Sequence, residues 1–190
     1  MSFVFRLPKV VQEVGVILAA APEHRLNYTV LLKLLYLADR ESLAEVRQPI
    51  SGDTHYALPR GPVLSRVCDL IRKTSYVSEE QAEYWAKYFD VDDKEIVLKQ
   101  DPGTSHLSEY EVKKLLDVFS RLDRKTFGQV LDYVDELPEV KKNKLKFSLN
   151  CRKKLIALED IVEAIGKRDL LDEINQNKIE DEFLARILGN

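Results

Sequence analysis

The chain has 190 residues, of which 45% are hydrophobic and 32% are charged, and its formal net charge is −3. This composition is ordinary for a soluble globular protein that is long enough to bury a core, so we expect one compact domain. The small negative charge gives no overall attraction to nucleic acid or anionic lipid. Two cysteines, Cys68 and Cys151, are too few for a disulfide framework, which fits a reducing cytoplasm.

No segment predicts export or insertion into a membrane. The longest apolar run near the N-terminus covers residues 14–21, is interrupted by Gly15 and is too short to span a bilayer. Residues 1–7 contain one arginine but lack the order of regions of a signal peptide. We therefore expect a cytoplasmic protein without a membrane anchor.

Two helices are predicted in the first 45 residues. Pro8 can occupy a first helical turn, and apolar residues follow it at helical spacing until Pro22. Asn27 is a suitable N-cap for a second helix over residues 28–44. Because this second helix is apolar nearly all round, we expect it to be a buried central helix that other helices surround.

The polar residues of the central helix recur at spacings of four, three and four, which places them on one stripe. They are Thr29, Lys33, Tyr36 and Arg40. The stripe is either the side on which the helix meets water or part of a site. A buried Lys33 is costly unless its charge is paired, so we predict a structural polar network that includes Lys33, Tyr36 and Asp39.

The segment after the central helix is predicted to be a stiff, structured loop. Residues 51–53, Ser-Gly-Asp, have turn chemistry, and residues 55–58 could be briefly extended. Gly61-Pro62 is predicted to start a helix over residues 62–73, because proline is tolerated in a first helical turn.

The same loop offers candidate binding residues. Lys33, Asp39, Asp53 and Arg60 could form a network that fixes the loop, which would present Tyr56 and Arg60 to a partner. The alternative is that Lys33 only extends its ammonium group to water while the Tyr56 ring fills the core.

The remainder of the chain is predicted to be mostly helical. Ser78 is a plausible N-cap for a helix over residues 78–86, and residues 87–99 have the pattern of a β-hairpin around a polar turn. Further helices are predicted at residues 108–123, 126–137, 158–165 and 169–188. The predicted fold class is therefore mainly α: a single compact domain of several helices around a buried central helix, with one small β-hairpin.

Residues 141–154 are the most basic part of the chain and show little apolar periodicity, which predicts an exposed loop. Its lysines and arginine could bind phosphates, with Phe147 available for stacking. The alternative, which the net negative charge favours, is a solvated loop that balances nearby acids.

A winged-helix DNA-binding regulator is a second functional class. Helices at 62–73 and 78–86 followed by the hairpin have the order of a helix-turn-helix with a wing. Against this class, Glu79, Glu80 and Glu83 would give the recognition helix an acidic face, which repels phosphate.

A small enzyme is a third class, and it has the least support in the sequence. His24, His55 and His106 lack the spacing of metal ligands, so we predict no metal site. The chain contains no nucleophile elbow, phosphate loop or dinucleotide fingerprint. We therefore predict no catalytic residue and no cofactor.

An ordered series of short motifs resembles the Panacea domain of SocA-like antitoxins. The motifs span roughly residues 10–166, and their order is more specific than any one of them. They are Lys33-Leu34-Leu35-Tyr36-Leu37-Ala38-Asp39, Pro49-Ile50-Ser51-Gly52-Asp53 with Tyr56 and Ala57, Gly61-Pro62-Val63, Asp135-Glu136-Leu137-Pro138-Glu139 and Ile156-Ala157-Leu158-Glu159-Asp160-Ile161. Two positions depart from the family pattern, since Arg60 replaces an aromatic or apolar residue and Val140 replaces a tryptophan.

The resemblance implies an antitoxin that neutralises the toxin encoded by a neighbouring gene through direct binding, and a role as an adaptor for a protease complex is known among relatives. We assign residues 1–166 to the family domain. The apolar spacing of the last segment, residues 167–190, predicts an amphipathic helix packed on that domain or on a partner. We assign partner binding to the loop, at Asp53, Tyr56, Arg60, Gly61 and Pro62.

Overall fold

The computed structural model describes residues 3–148 and 151–173, and its secondary structure is mainly α-helical. Its elements in chain order are α1 (Leu7–Ala20), β1 (Arg25–Asn27), α2 (Tyr28–Val46), β2 (His55–Leu58), β3 (Gly61–Leu64), α3 (Ser65–Arg72), α4 (Glu79–Tyr88), β4 (Phe89–Asp92), β5 (Glu95–Leu98), α5 (Glu109–Leu122), α6 (Phe127–Asp135), α7 (Pro138–Lys144), β6 (Lys154–Leu155) and α8 (Leu158–Ala164). Within the described ranges, no helix has the length and apolar character needed to cross a bilayer.

Helix α2 is the buried central helix that the sequence predicts. The Asn27 side chain caps it by accepting a hydrogen bond from the Thr29 amide at 2.9 Å. The nine consecutive residues 31–39 are all buried. Helices α1, α5 and α6 and strand β3 pack around it, so polar residues of α2 must find partners inside the protein.

The predicted hairpin is confirmed as strands β4 and β5, but it belongs to a larger sheet. Strand β1 pairs antiparallel with β5, so the order of this first sheet is β1-β5-β4. Only three residues form β1, which is too short to give an alternating pattern in the sequence. The sheet closes against the start of α2, where the Tyr28 amide donates to the Lys94 carbonyl at 2.9 Å.

A second antiparallel sheet, with the order β3-β2-β6, corrects the prediction of a single small hairpin. The predicted helix start at Gly61-Pro62 is wrong, because these residues begin strand β3 and α3 starts only at Ser65. All four residues of β3 are buried, and a short, fully buried apolar run does not distinguish strand from helix in a sequence. Gly61 has a φ of +92°, a conformation that side-chain-bearing residues rarely adopt.

The prediction that residues 141–154 form one exposed loop is also wrong in part. Helix α6 ends at Asp135, two residues before the predicted end at Leu137, and Pro138 opens α7, in whose first turn its missing amide hydrogen costs nothing. Two lysines at the start of this region are paired with acids of neighbouring helices: Lys142 with Asp160 at 2.8 Å and Lys144 with Asp135 at 2.5 Å. Of the helix predicted at 169–188, residues 168–173 are helical, and the rest of it lies outside the described residues.

Candidate functional site

The loop between α2 and β2 is fixed by a buried carboxylate on α2. Asp39 Oδ1 accepts hydrogen bonds from the backbone amides of Ile50 and Ser51, each at 2.8 Å. Its other oxygen, Oδ2, accepts from the Ser51 hydroxyl and lies 3.0 Å from His55 Nε2. Asp39 is only 2% exposed, so these donors replace the water that the carboxylate loses on burial. The loop is therefore held to the most buried element of the fold.

A second buried carboxylate holds the same loop to α3. Asp53 accepts from the amides of Arg66 at 3.2 Å and Val67 at 3.1 Å, in the first turn of that helix, and its own amide bonds the Ser51 hydroxyl at 3.0 Å. Burial raises the pKa of Asp53, and the amide hydrogen bonds oppose that rise. Asp53 was predicted to bind a partner, and the structure places it inside the loop with contacts to the protein itself.

Lys33 supports the β2–β3 hairpin from below. Its side chain has no exposed surface, and its ammonium nitrogen Nζ donates to the Pro62 carbonyl at 2.7 Å. Burial lowers the pKa of Lys33 to about 7, although the nearby Asp135 carboxylate acts in the opposite direction. A Cβ atom at Gly61 would lie 3.1 Å from Lys33 Cε and 3.0 Å from Asp135 Oδ1, so this position has little room for a side chain. Gly61 and Pro62 are thus buried against Lys33 rather than exposed.

The other polar residues of the central helix bind α7. The Tyr36 hydroxyl donates to Glu139 Oε1 at 3.0 Å, and Arg40 Nε donates to the same oxygen at 2.6 Å. Burial and the Glu139 carboxylate raise the pKa of Tyr36 well above its usual range. The sequence did not predict the contacts of Glu139 with α2 or the Asp39–His55 contact, because in both cases the partner lies on another element.

The predicted network of Lys33, Asp39, Asp53 and Arg60 is therefore divided between separate places. Asp39 and Asp53 meet through Ser51, whereas Lys33 bonds the hairpin at Pro62. Arg60 does not take part, because it is exposed in the turn between β2 and β3.

The turn that contains Arg60 is also held in place. Lys144 Nζ donates to the Pro59 carbonyl at 3.0 Å while it pairs with Asp135 at 2.5 Å. The backbone on both sides of the exposed Arg60 is therefore held by hydrogen bonds, to the carbonyl of Pro59 from Lys144 and to the carbonyl of Pro62 from Lys33.

Tyr56 lies on the outer side of β2. His55 and Ala57 point inward and are buried, whereas Tyr56 is half-buried. The ammonium nitrogen of Lys153 lies 4.1 Å from the centre of the Tyr56 ring, which is a cation–π contact. The ring also lines a cleft of about 540 Å³.

The chain belongs to the SocA-like antitoxin family. The family model described as antitoxin SocA-like, Panacea domain, matches residues 31–139, which is more than half of the 190 residues. The matched range includes α2, the β2–β3 hairpin and Glu139, and therefore most of the contacts described above. Neither the comparison with curated proteins nor the comparison with solved structures gave a match.

The structure also bears on the two other functional classes, the winged-helix regulator and the enzyme. Helices α3 and α4 and the β4–β5 hairpin occur in the order that a winged helix requires, and Glu79, Glu80 and Glu83 are all exposed on α4. In the part of the chain that the structure describes, no group of three or more His, Cys, Asp or Glu side chains is placed to bind a metal ion.

Proposed function

We propose that this protein is a cytoplasmic antitoxin that neutralises a cognate toxin by binding it directly. The observation that supports this proposal most strongly is the family match over residues 31–139. The proposed partner is a protein, and delivery of the bound toxin to a protease complex, which the resemblance also implies, stays a prediction.

The β2–β3 hairpin is our proposed contact surface for the toxin. Asp39 and Asp53 fix the loop that leads into it, and Lys33 and Lys144 hold its turn. A surface that is ordered before binding loses less conformational entropy on binding. It exposes Arg60 and part of Tyr56, and arginine and tyrosine are enriched among residues that dominate binding energy.

We also propose that the protein is not an enzyme. The buried side chains of Lys33, Asp39 and Glu139 are at most 2% exposed and are engaged in hydrogen bonds that hold elements together. A general acid or base must reach the proton that it transfers, which these groups could do only after the core opens. We do not propose DNA binding, because the exposed glutamates of α4 would face phosphates.

A coexpression experiment tests the proposal. The product of the adjacent gene is expressed from an inducible promoter, alone and together with this protein carrying an affinity tag. We expect arrest of growth by the toxin alone, restored growth on coexpression, and recovery of the two proteins as one complex. Growth arrest that persists when both proteins are present and soluble would overturn the proposal.

A further inference from the structure

The cleft beside Tyr56 has the features of a binding site. It lies between the segment before α1, helix α3, the start of α4 and the residue before β6, and its volume of about 540 Å³ falls in the range of ligand sites. We refer to it as the Arg66–Lys153 cleft, after the two basic residues that line it.

Aromatic side chains form much of the cleft. Phe5 and Tyr56 are each half-buried, and Tyr76 is 86% exposed, which is unusual for so large a side chain. Val77 also lines the cleft. A partner that covered Tyr76 and Val77 would remove apolar surface from water, which is favourable for binding.

Two cations lie over this aromatic surface. The Arg66 guanidinium is 4.9 Å from the centre of the Phe5 ring, and the Lys153 ammonium is 4.1 Å from the centre of the Tyr56 ring. Within the described residues, 3–148 and 151–173, no carboxylate lies within 4.0 Å of either cation. Lys141, Lys142 and Lys144, by contrast, are each paired with an acid.

One acid, Asp69, also lines the cleft. Its carboxylate accepts a hydrogen bond from the Thr74 hydroxyl at 3.0 Å, which holds it at the end of α3. The cleft therefore combines a net positive charge with aromatic surface, in a chain whose overall charge is −3.

We propose that the Arg66–Lys153 cleft binds an acidic segment of the toxin, with an apolar side chain of that segment packed between Tyr56 and Tyr76. Carboxylates of the segment would pair with Arg66 and Lys153, whose positions over the Phe5 and Tyr56 rings leave both cations at the cleft. This inference rests on the proposed function and extends it, because the cleft adjoins Tyr56 of the hairpin surface. Charge complementarity of this kind sets specificity and the rate of association.

The test measures toxin affinity by calorimetry for the full-length protein and for Arg66→Glu, Lys153→Glu and the double variant. Arg124→Glu is the matched control, since Arg124 is exposed and does not line the cleft. We expect each reversal in the cleft to weaken binding by roughly tenfold or more, and the control to change it by less than about twofold. Arg66→Gln and Lys153→Gln provide milder variants if a reversal disturbs folding, which circular dichroism reports.

The result has a second readout on the toxin. Reversal of acidic residues on the toxin should include a position that restores affinity for Arg66→Glu or Lys153→Glu, which only direct pairing explains. Unchanged affinity of both cleft variants, with tight wild-type binding, would overturn the cleft and leave the antitoxin function standing. A wild-type protein that does not bind the toxin would overturn both. The sequence of residues 179–184, Ile-Glu-Asp-Glu-Phe-Leu, has similar chemistry. Tighter toxin binding after reversal of these three acids would mean that this segment competes with the toxin for the cleft. Our assignment is supported if an acidic peptide from the toxin binds the wild-type protein and the control but not the cleft variants.

Discussion

The substitution Lys33→Met tests whether burial beneath the β2–β3 hairpin disfavours the protonated form of Lys33. Methionine keeps a long, unbranched side chain but cannot be protonated. Lys33 is fully buried and its pKa falls from 10.5 to about 7. At about 1.4 kcal/mol per pH unit, that fall corresponds to about 5 kcal/mol of destabilisation of the folded wild type when the solution is well below pH 7.

The sign of the pH dependence follows from the direction of this fall. Between pH 7 and 10.5 the unfolded chain keeps the Lys33 proton while the folded protein releases it. The free energy of unfolding of the wild type should therefore gain a contribution that rises with pH. Over the interval from pH 7 to 9 this contribution is about 2 kcal/mol.

Lys33→Met removes that contribution and also removes the hydrogen bond to the Pro62 carbonyl, which costs about 1–3 kcal/mol at every pH. The free energy of unfolding of the variant, minus that of the wild type, should therefore be about 2 kcal/mol higher at pH 7 than at pH 9. Groups other than Lys33 are common to both proteins, so the comparison isolates the lysine.

Urea unfolding at pH 7, 8 and 9 measures this difference. Trp85 is the only tryptophan of the chain and is 3% exposed, so its fluorescence reports unfolding of the core. Lys113→Met, which removes an exposed ammonium group, is the control. Parallel profiles for wild type and Lys33→Met would refute the reasoning, because Lys33 would then keep its proton in the folded state.

Three further predictions concern the core, the thiols and nucleic acid. Leu35→Ala should lower the free energy of unfolding by about 2–5 kcal/mol, because Leu35 is 1% exposed on the central helix; a loss under about 1 kcal/mol would contradict the assignment of α2 as the core. A thiol reagent should label exposed Cys151 quickly and Cys68 only on unfolding, because Cys68 is buried and burial raises the pKa of its thiol; two fast-reacting thiols in the native protein would be the opposite result. The purified protein should show no sequence-specific binding to duplex DNA at moderate salt, and nanomolar, sequence-dependent binding would restore the winged-helix alternative.

The elements that the sequence predicted well are those with a complete local signal. Helix α2 was recognisable because it is apolar nearly all round and begins at a capping Asn27. The β4–β5 hairpin was recognisable from its polar turn between two short segments with the pattern of strands.

The elements that the sequence missed are defined by distant partners. Strands β1 and β6 contain three and two residues, which become strands only because β5 and β2 pair with them. Gly61-Pro62 follows the local rule for a helix start, and pairing with β2 overrides that rule.

The contacts of the candidate site were likewise predictable only in part from the sequence. The cost of burying Lys33 indicated that it has a partner, but not that the partner is the Pro62 carbonyl, 29 positions along the chain. Arg40 and Glu139 pair across 99 positions, a separation that carries no periodic signal in a single sequence.

The affinity of the toxin for Arg60→Ala is the most direct test of the central claim, that the β2–β3 hairpin binds the toxin. Arg60 is exposed at the turn, so it is the residue at which we expect specificity for one toxin. Calorimetric titration of wild type, Arg60→Ala, Tyr56→Ala and the control Arg124→Ala should show a loss of about 1–3 kcal/mol for the two hairpin variants and almost none for the control. The helical circular-dichroism signal and the melting temperature of Arg60→Ala should match those of the wild type. Full affinity and full neutralisation by Arg60→Ala and Tyr56→Ala would contradict the claim and place the toxin-binding surface elsewhere on the protein.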